Sequence, residues 1–123
     1  MRVLQTGLTG TAELVVGEQD LAIALGSGDV AVMGTPRMVA LAEAATVAAI
    51  DGALEPGRTS VGTHVDMRHL APSPVGRAVT ARAVLSRCEG KLLAFSVEVH
   101  DDGGLVGEGT IERVIVNREK FGR

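Results

Sequence analysis

At 123 residues and a net charge of -3, the chain has room for one domain, 1–123, and too little positive charge to follow a phosphate backbone. Hydrophobic residues make up 46% but aromatic residues only 2%, which leaves no stacking platform for bases and argues against nucleic acid as a partner. The core has to be assembled from Val, Leu, Ala and Ile, and a mean hydropathy of +0.25 predicts that a second subunit covers part of the apolar surface.

The first stretch, "MRVLQTGLTG", lacks the continuous apolar segment of a signal peptide. No uncharged run reaches the roughly 20 residues that span a bilayer, so a soluble, cytoplasmic protein with no membrane partner is expected. "TAELVVGE" reads as a strand, and "LAIAL" as a second short one. "GSGDVAVMG" then reads as a flexible connection or lid.

"TPRMVALAEAATVAAIDGALEPG" is the clearest helix. Thr35 is expected as its N-cap, Pro36 as its first helical residue and Pro56-Gly57 as its stop. Met38, Leu41, Ala42, Ala45 and Ala49 mark one face, and the alanines predict that another element approaches the helix backbone closely. "SVGTHVDMRH" alternates as a strand, with Val61, Thr63, Val65, Met67 and His69 on one face and Gly62, His64, Asp66 and Arg68 on the other. "AVTARAVLSR" and "LLAFSVEVH" flank a hairpin signal at Glu89-Gly90, with Leu93, Phe95, Val97 and Val99 inward. "DDGG" makes the next turn, and "LVGEGTIERVIV" is a long strand whose Gly107 and Gly109 permit close approach or a bend. A long helix followed by antiparallel hairpins is an α+β arrangement in which the sheet must curl around the helix.

Glu43 is the only charge within the most apolar part of the helix: either it occupies a narrow solvent-facing stripe, or it is a hydrogen-bonded, protonated or functional carboxylate. His69 ends its strand just before a Pro-bearing loop, where an imidazole either packs as a satisfied core residue or transfers protons at a cleft. Thr35 precedes Glu43 by eight residues, about 12 Å along a helix axis and within roughly 80° around it, so the two share a face but cannot touch one atom. Either a substrate spans them or a symmetry-related subunit supplies one. His64, Asp66 and His100 match no strong metal-ligand spacing, and the lone Cys88 supports neither a disulfide nor a thiolate zinc site, so no metal or cofactor is expected. The Lys-Ser/Thr of a phosphate-binding loop, the dinucleotide fingerprint and the G-x-S-x-G elbow are all missing.

The runs "TPRMVALAEAA", "EPGRTSVGTHVDMRHLAPSPVG", "VTARAVLSRCEGKLLAFSVEVHDD" and "GEGTIERVIVNREKF" together resemble the hotdog-fold acyl-CoA thioesterases, in particular their fluoroacetyl-CoA thioesterase-like branch, from about Met33 to Phe121. The resemblance implies a central helix wrapped by an antiparallel sheet, and a homodimer, with pairing into a tetramer left open, that binds an acyl-CoA at its subunit interface. It also implies that Thr35, Glu43 and His69 are catalytic, that the Gly62 backbone lies by the thioester and that Arg113 belongs to the active-site region. His64 matches no catalytic position. Two departures bear on substrate: the branch carries aromatic lid residues where "LAIALGSGDVAVMG" has none, and a bulky aromatic where Ala44 follows Glu43. A wider, more open pocket for a different acyl group is the expectation. Two other readings stand beside hydrolysis. One is a non-catalytic binder of an acyl or aromatic metabolite in the same cleft. The other is an enoyl-CoA hydratase of the same fold, which fits less well because its Asp/His signature is not found around the helix.

Overall fold

In a computed structural model that describes residues 2–122, the chain forms β1 (Thr9–Val15), α1 (Ala22–Leu25), α2 (Thr35–Ala49), β2 (Arg58–His69), β3 (Ala78–Glu89), β4 (Leu92–Asp101), β5 (Gly104–Asn117) and α3 (Arg118–Phe121). The strands make one antiparallel sheet in the order β1-β3-β4-β5-β2. It curls around α2 as the resemblance implies. Leu85, Leu93, Phe95, Val97, Val99 and Ile111 line its inner face and are buried against Met33, Met38, Leu41 and the alanines of α2. Each large apolar side chain buried in this way contributes about 1.5–3 kcal/mol.

The alanine content of α2 has a visible cause. Gly10 of β1 lies so close to the helix that a Cβ there would overlap the carbonyl of Ala45 and the N–H of Ala49. Backbone meets backbone at that crossing, and larger side chains on either side would force the layers apart. Gly109 of β5 is similarly tight against the backbone of Asp66, and a Cβ on Gly107 would press on the Met38 sulfur. The close approach expected at both glycines is present.

Four local expectations are corrected. "LAIAL" contains helix α1, closed by Gly26 in the left-handed region at φ 70°; four residues of apolar sequence carry too little periodicity to separate the two states. Helix α2 stops at Ala49 with Ile50 as its C-cap, ahead of a turn that uses Gly52 at φ 74°, rather than running to Pro56-Gly57. Gly34, not Thr35, is the N-cap, and Pro36 follows Thr35 within the first turn. A side chain at position 34 would strike Leu25, Ser27 and Ala22, so the entry to α2 is packed directly onto α1.

Strand β2 departs from simple alternation. Its register against β5 shifts between Gly62 and His64, so Thr63 is an extra residue with no partner in the ladder. Register partners share a face. Ser60, Gly62, Val65, Met67 and His69 oppose Ile115, Arg113, Ile111, Gly109 and Gly107 and therefore all lie on the helix side. The simple alternation that put Gly62 opposite to His69 fails at this bulge. His64 pairs with Glu112 on the outer face. Among the described residues, no helix is long and apolar enough to cross a membrane.

Candidate active site

Two half-sites lie on the side of α2 that faces β2. At the helix N-terminus, Thr35 Oγ1 sits 2.8 Å from Nδ1 of His69, the last residue of β2. Because Gly34 provides the cap, the Thr35 hydroxyl is free of any capping bond and available to the ring. The other ring nitrogen, Nε2, is buried and has no hydrogen-bond partner among the described residues. Burial holds the imidazole below its ordinary value of 6.5, with the backbone of Ala71 pulling the other way. A buried nitrogen left bare costs about 1–3 kcal/mol, and such groups are few in folded proteins. Thr35 and His69 open onto a cleft of about 270 Å³, whose remaining walls are Val32, Leu70, Ala71 and Pro72.

The second half-site is centred on Glu43. One carboxylate oxygen is 3.7 Å from the Arg113 guanidinium, and the side chain is 37% exposed. Arg113 is itself buried. Its Nε donates to Ser60 Oγ at 2.8 Å and its terminal nitrogen to the Ser60 carbonyl at 2.9 Å. Burial lowers the guanidinium pKa, and the facing Glu43 carboxylate opposes that shift. Gly62 supplies the floor: a Cβ there would collide with Glu43 Oε2 and come into ordinary contact with Arg113. The bulge at Thr63 turns Gly62 to this side.

Within one chain the half-sites remain apart. The cleft at His69 includes neither Glu43 nor Arg113, and the eight helical residues between Thr35 and Glu43 span about 12 Å. The structure thus joins Thr35 to His69, and Glu43 to Gly62 and Arg113, without bringing the two groups together. The other histidines are elsewhere. His100 bonds Glu98 at 2.8 Å on the outside of β4, and His64 lies across from Glu112.

Sequence reasoning missed the residues that hold these groups in place. Asp20, buried, accepts from the Gly17 N–H at 2.8 Å and from Arg37 Nε at 2.9 Å, while its carbonyl accepts from the Gly34 N–H at 2.9 Å. It fixes the start of α2 and so the position of Thr35. Ser73, fully buried in the loop after His69, accepts at its carbonyl from the Met33 N–H at 2.8 Å and donates its hydroxyl to Asp101 at 3.0 Å. Arg77 also donates to Asp101, at 3.2 Å. For Asp20, the Gly17-x-x-Asp20 spacing of a capping turn was the available signal; for Ser60, Ser73 and Asp101 no local pattern marks the role.

A family model described as fluoroacetyl-CoA-specific thioesterase matches residues 16–119. The fluoroacetyl-CoA thioesterase of Streptantibioticus cattleyicolor is 42% identical over 90 residues, which cover 73% of this chain and 65% of that protein's length. A solved fluoroacetyl-CoA thioesterase structure superposes with a TM-score of 0.92 at 34% identity, covering 98% of this chain and 94% of the other. A variant of such an enzyme solved in complex with acetyl-CoA gives 0.91 at 34% identity, over 97% and 94% of the two chains. A Thermus thermophilus protein described as a thioesterase superfamily member gives 0.90 at 30% identity, over 99% and 90%. The curled sheet and helix are those of the hotdog fold.

Proposed function

Because the chain belongs to the fluoroacetyl-CoA-specific thioesterase family, we propose that it hydrolyses an acyl-CoA thioester to the free acid and CoA, at sites formed between two copies of the chain. One copy supplies Thr35 and His69, and the second supplies Glu43, with Gly62 and Arg113 beside it. The observation that carries this reading is the bare, buried Nε2 of a histidine whose other nitrogen is anchored to Thr35. The separation of Glu43 from that pair within one chain supports the sharing of the site.

In the proposed reaction Nδ1–H of His69 donates to Thr35 Oγ1, which leaves Nε2 as the proton acceptor. Water bonds to the thioester carbonyl carbon, its proton passes to Nε2, and the carbonyl electron pair moves to oxygen. The Glu43 carboxylate, held by Arg113, aligns that water. The unladdered backbone at the Thr63 bulge and the N-terminus of α2 supply N–H groups and dipole toward the oxyanion. Collapse re-forms the carbonyl and breaks the carbon–sulfur bond, and the departing sulfur takes the proton back from the imidazolium. The cleft walls Val32 and Leu70 are aliphatic, and neither Phe95 in the core nor Phe121 near the C-terminus lies there. A general acyl-CoA substrate fits this mouth better than selection for the fluoroacetyl group.

The test is release of free thiol from a panel of acyl-CoAs, followed by mixing of two inactive variants, His69→Ala and Glu43→Gln. A shared site restores about a quarter of wild-type activity on random reassociation, since half the dimers are mixed and each mixed dimer has one intact site. No thiol release from any acyl-CoA would sink the hydrolase reading. Release by the wild type without rescue in the mixture would place all three residues in one chain.

A further inference from the structure

Arg37 is the one charged side chain in the first turn of α2, two residues after Thr35. A cation there faces the positive end of the helix dipole, so helix stability gives no reason for it. The turn contains no acid of its own to offset the charge. The offset comes from outside the helix: Arg37 Nε donates to Asp20 Oδ1 at 2.9 Å, where the Asp20 side chain is 4% exposed and that of Arg37 34%. The second carboxylate oxygen accepts from the Gly17 N–H at 2.8 Å. With both oxygens committed, Asp20 cannot turn away from Arg37 without leaving a buried charge bare.

Asp20 therefore grips α2 at two points. Its carbonyl accepts from the Gly34 N–H at 2.9 Å and its carboxylate from Arg37, so the two attachments lie on either side of Thr35 and Pro36. Thr35 and Pro36 are themselves exposed, whereas core packing begins at Met38 and Leu41. A single bond at Gly34 is a pivot about which the end of the helix can roll, and the second attachment, most of a turn further round, removes that freedom. The Thr35 hydroxyl lies roughly 4 Å from the helix axis, so a roll of about 20° would carry it about 1.4 Å. That is enough to break its 2.8 Å contact with His69 Nδ1.

We propose that Asp20 and Arg37 are a positioning pair: their ion pair fixes the roll of α2, so that the Thr35 hydroxyl stays on Nδ1 of His69 and Nε2 remains the bare, proton-accepting nitrogen. The inference rests on the thioester-hydrolase reading above for the reaction it serves. It adds two residues that act through Thr35, neither of which lines the cleft.

The test uses the full-length protein with Arg37→Met, which keeps an unbranched stem and a good helix former but removes the guanidinium, and Arg37→Lys, which keeps the charge without the fork. Nitrogen-15 NMR of the imidazoles reads the tautomer of His69, with His64 and His100 on the outer face of the sheet as internal references. The wild-type ring is expected as the Nδ1–H tautomer. In Arg37→Met the His69 signals should move to a mixture with the Nε2–H form while those of His64 and His100 hold, and Arg37→Lys should fall between. Movement of all three histidines marks a general loss of structure, and His69 signals identical to wild type mark an ion pair without influence on the ring; either overturns the proposal. This measurement needs no substrate, so the pair and the hydrolase reading can fail separately. In thiol release, Arg37→Met is expected to lower kcat about tenfold with KM within about twofold of wild type. Added to Thr35→Val it should bring no further loss, because both changes act through one hydroxyl. Losses that multiply in the double variant would detach the pair from Thr35 and overturn the proposal.

Discussion

At the scale of single residues, His69 has one nitrogen committed and one bare, and its environment favours the neutral ring. With the pKa held below 6.5 by burial, the fraction able to accept a proton stays high until the pH falls beneath that value. The acid limb of a kcat/KM profile is therefore expected to have its midpoint below 6.5. Thr35→Val, which removes the hydroxyl anchoring Nδ1, should reduce kcat by about 10- to 100-fold with a smaller effect on KM. A profile with its acid midpoint above 6.5 would assign the limb to another group. The chemistry of these residues was only partly legible. Residue type and order pointed to Thr35, Glu43 and His69 through the family resemblance, whereas the support that Arg113 receives from Ser60 depends on a bulge that the alternation of "SVGTHVDMRH" conceals.

At the scale of elements, α2 and the four strands after it announced themselves through periodicity and turn residues. Their bounds moved only where a cap or a glycine turn intervened. The short α1 did not, because packing against Gly34 and the bridge between Leu21 and Met33 decide its state. The connections between elements are tied down at strand ends, and Asp101, the last residue of β4, is the clearest case. Its side chain is 4% exposed. Burial by itself would raise its pKa, but the Gly103 N–H, the Ser73 hydroxyl and the Arg77 guanidinium overcome this and bring it below the ordinary carboxylate value. A carboxylate with a depressed folded pKa stabilises fully above its unfolded value of 3.8, and that stabilisation is lost as pH falls through the folded value. Asp101→Asn is expected to cost about 1–3 kcal/mol near neutral pH and to flatten the acid side of a stability curve. Chemical denaturation from pH 7 to pH 3 would show both; a variant curve parallel to wild type would remove Asp101 from the account. Ser73 ties this cluster to the loop after His69, so the same variant should also lower kcat.

At the scale of the whole molecule, β2 is a twelve-residue edge strand with no neighbour on its outer side among the described residues, and Val65 on it and Val47 on α2 are 41% and 50% exposed. A long open edge beside apolar side chains is the kind of surface that proteins cover. Pairing of two β2 strands about a two-fold axis would cover it and carry the Glu43 of each copy toward the Thr35–His69 pair of the other. Val65→Asp should therefore convert a dimer of about twice 12.7 kDa to a monomer and abolish thiol release together, as sedimentation equilibrium and a thiol assay would report. A fully active monomer would contradict the shared site. The small size and positive hydropathy of the chain were the grounds for expecting a second subunit, and the eight-residue spacing of Thr35 and Glu43 already offered a symmetry-related copy as one way to complete the site; that β2 is the open edge could be read only from the sheet order. The unpaired Thr63 gives that geometry an unusual dependence on chain length. Deleting this one residue would set Gly62 beside His64 and leave every other face as it is, because the register already passes over it. Adding one residue to β5 opposite Thr63 would also make the ladder regular, yet it would invert the parity of Arg58 to Gly62 in β2 and of Arg113 onward in β5. Ser60, Gly62 and Arg113 would turn to the outer surface together, and Glu43 would hang above an emptied floor. A straighter sheet would fold around a carboxylate that nothing aims.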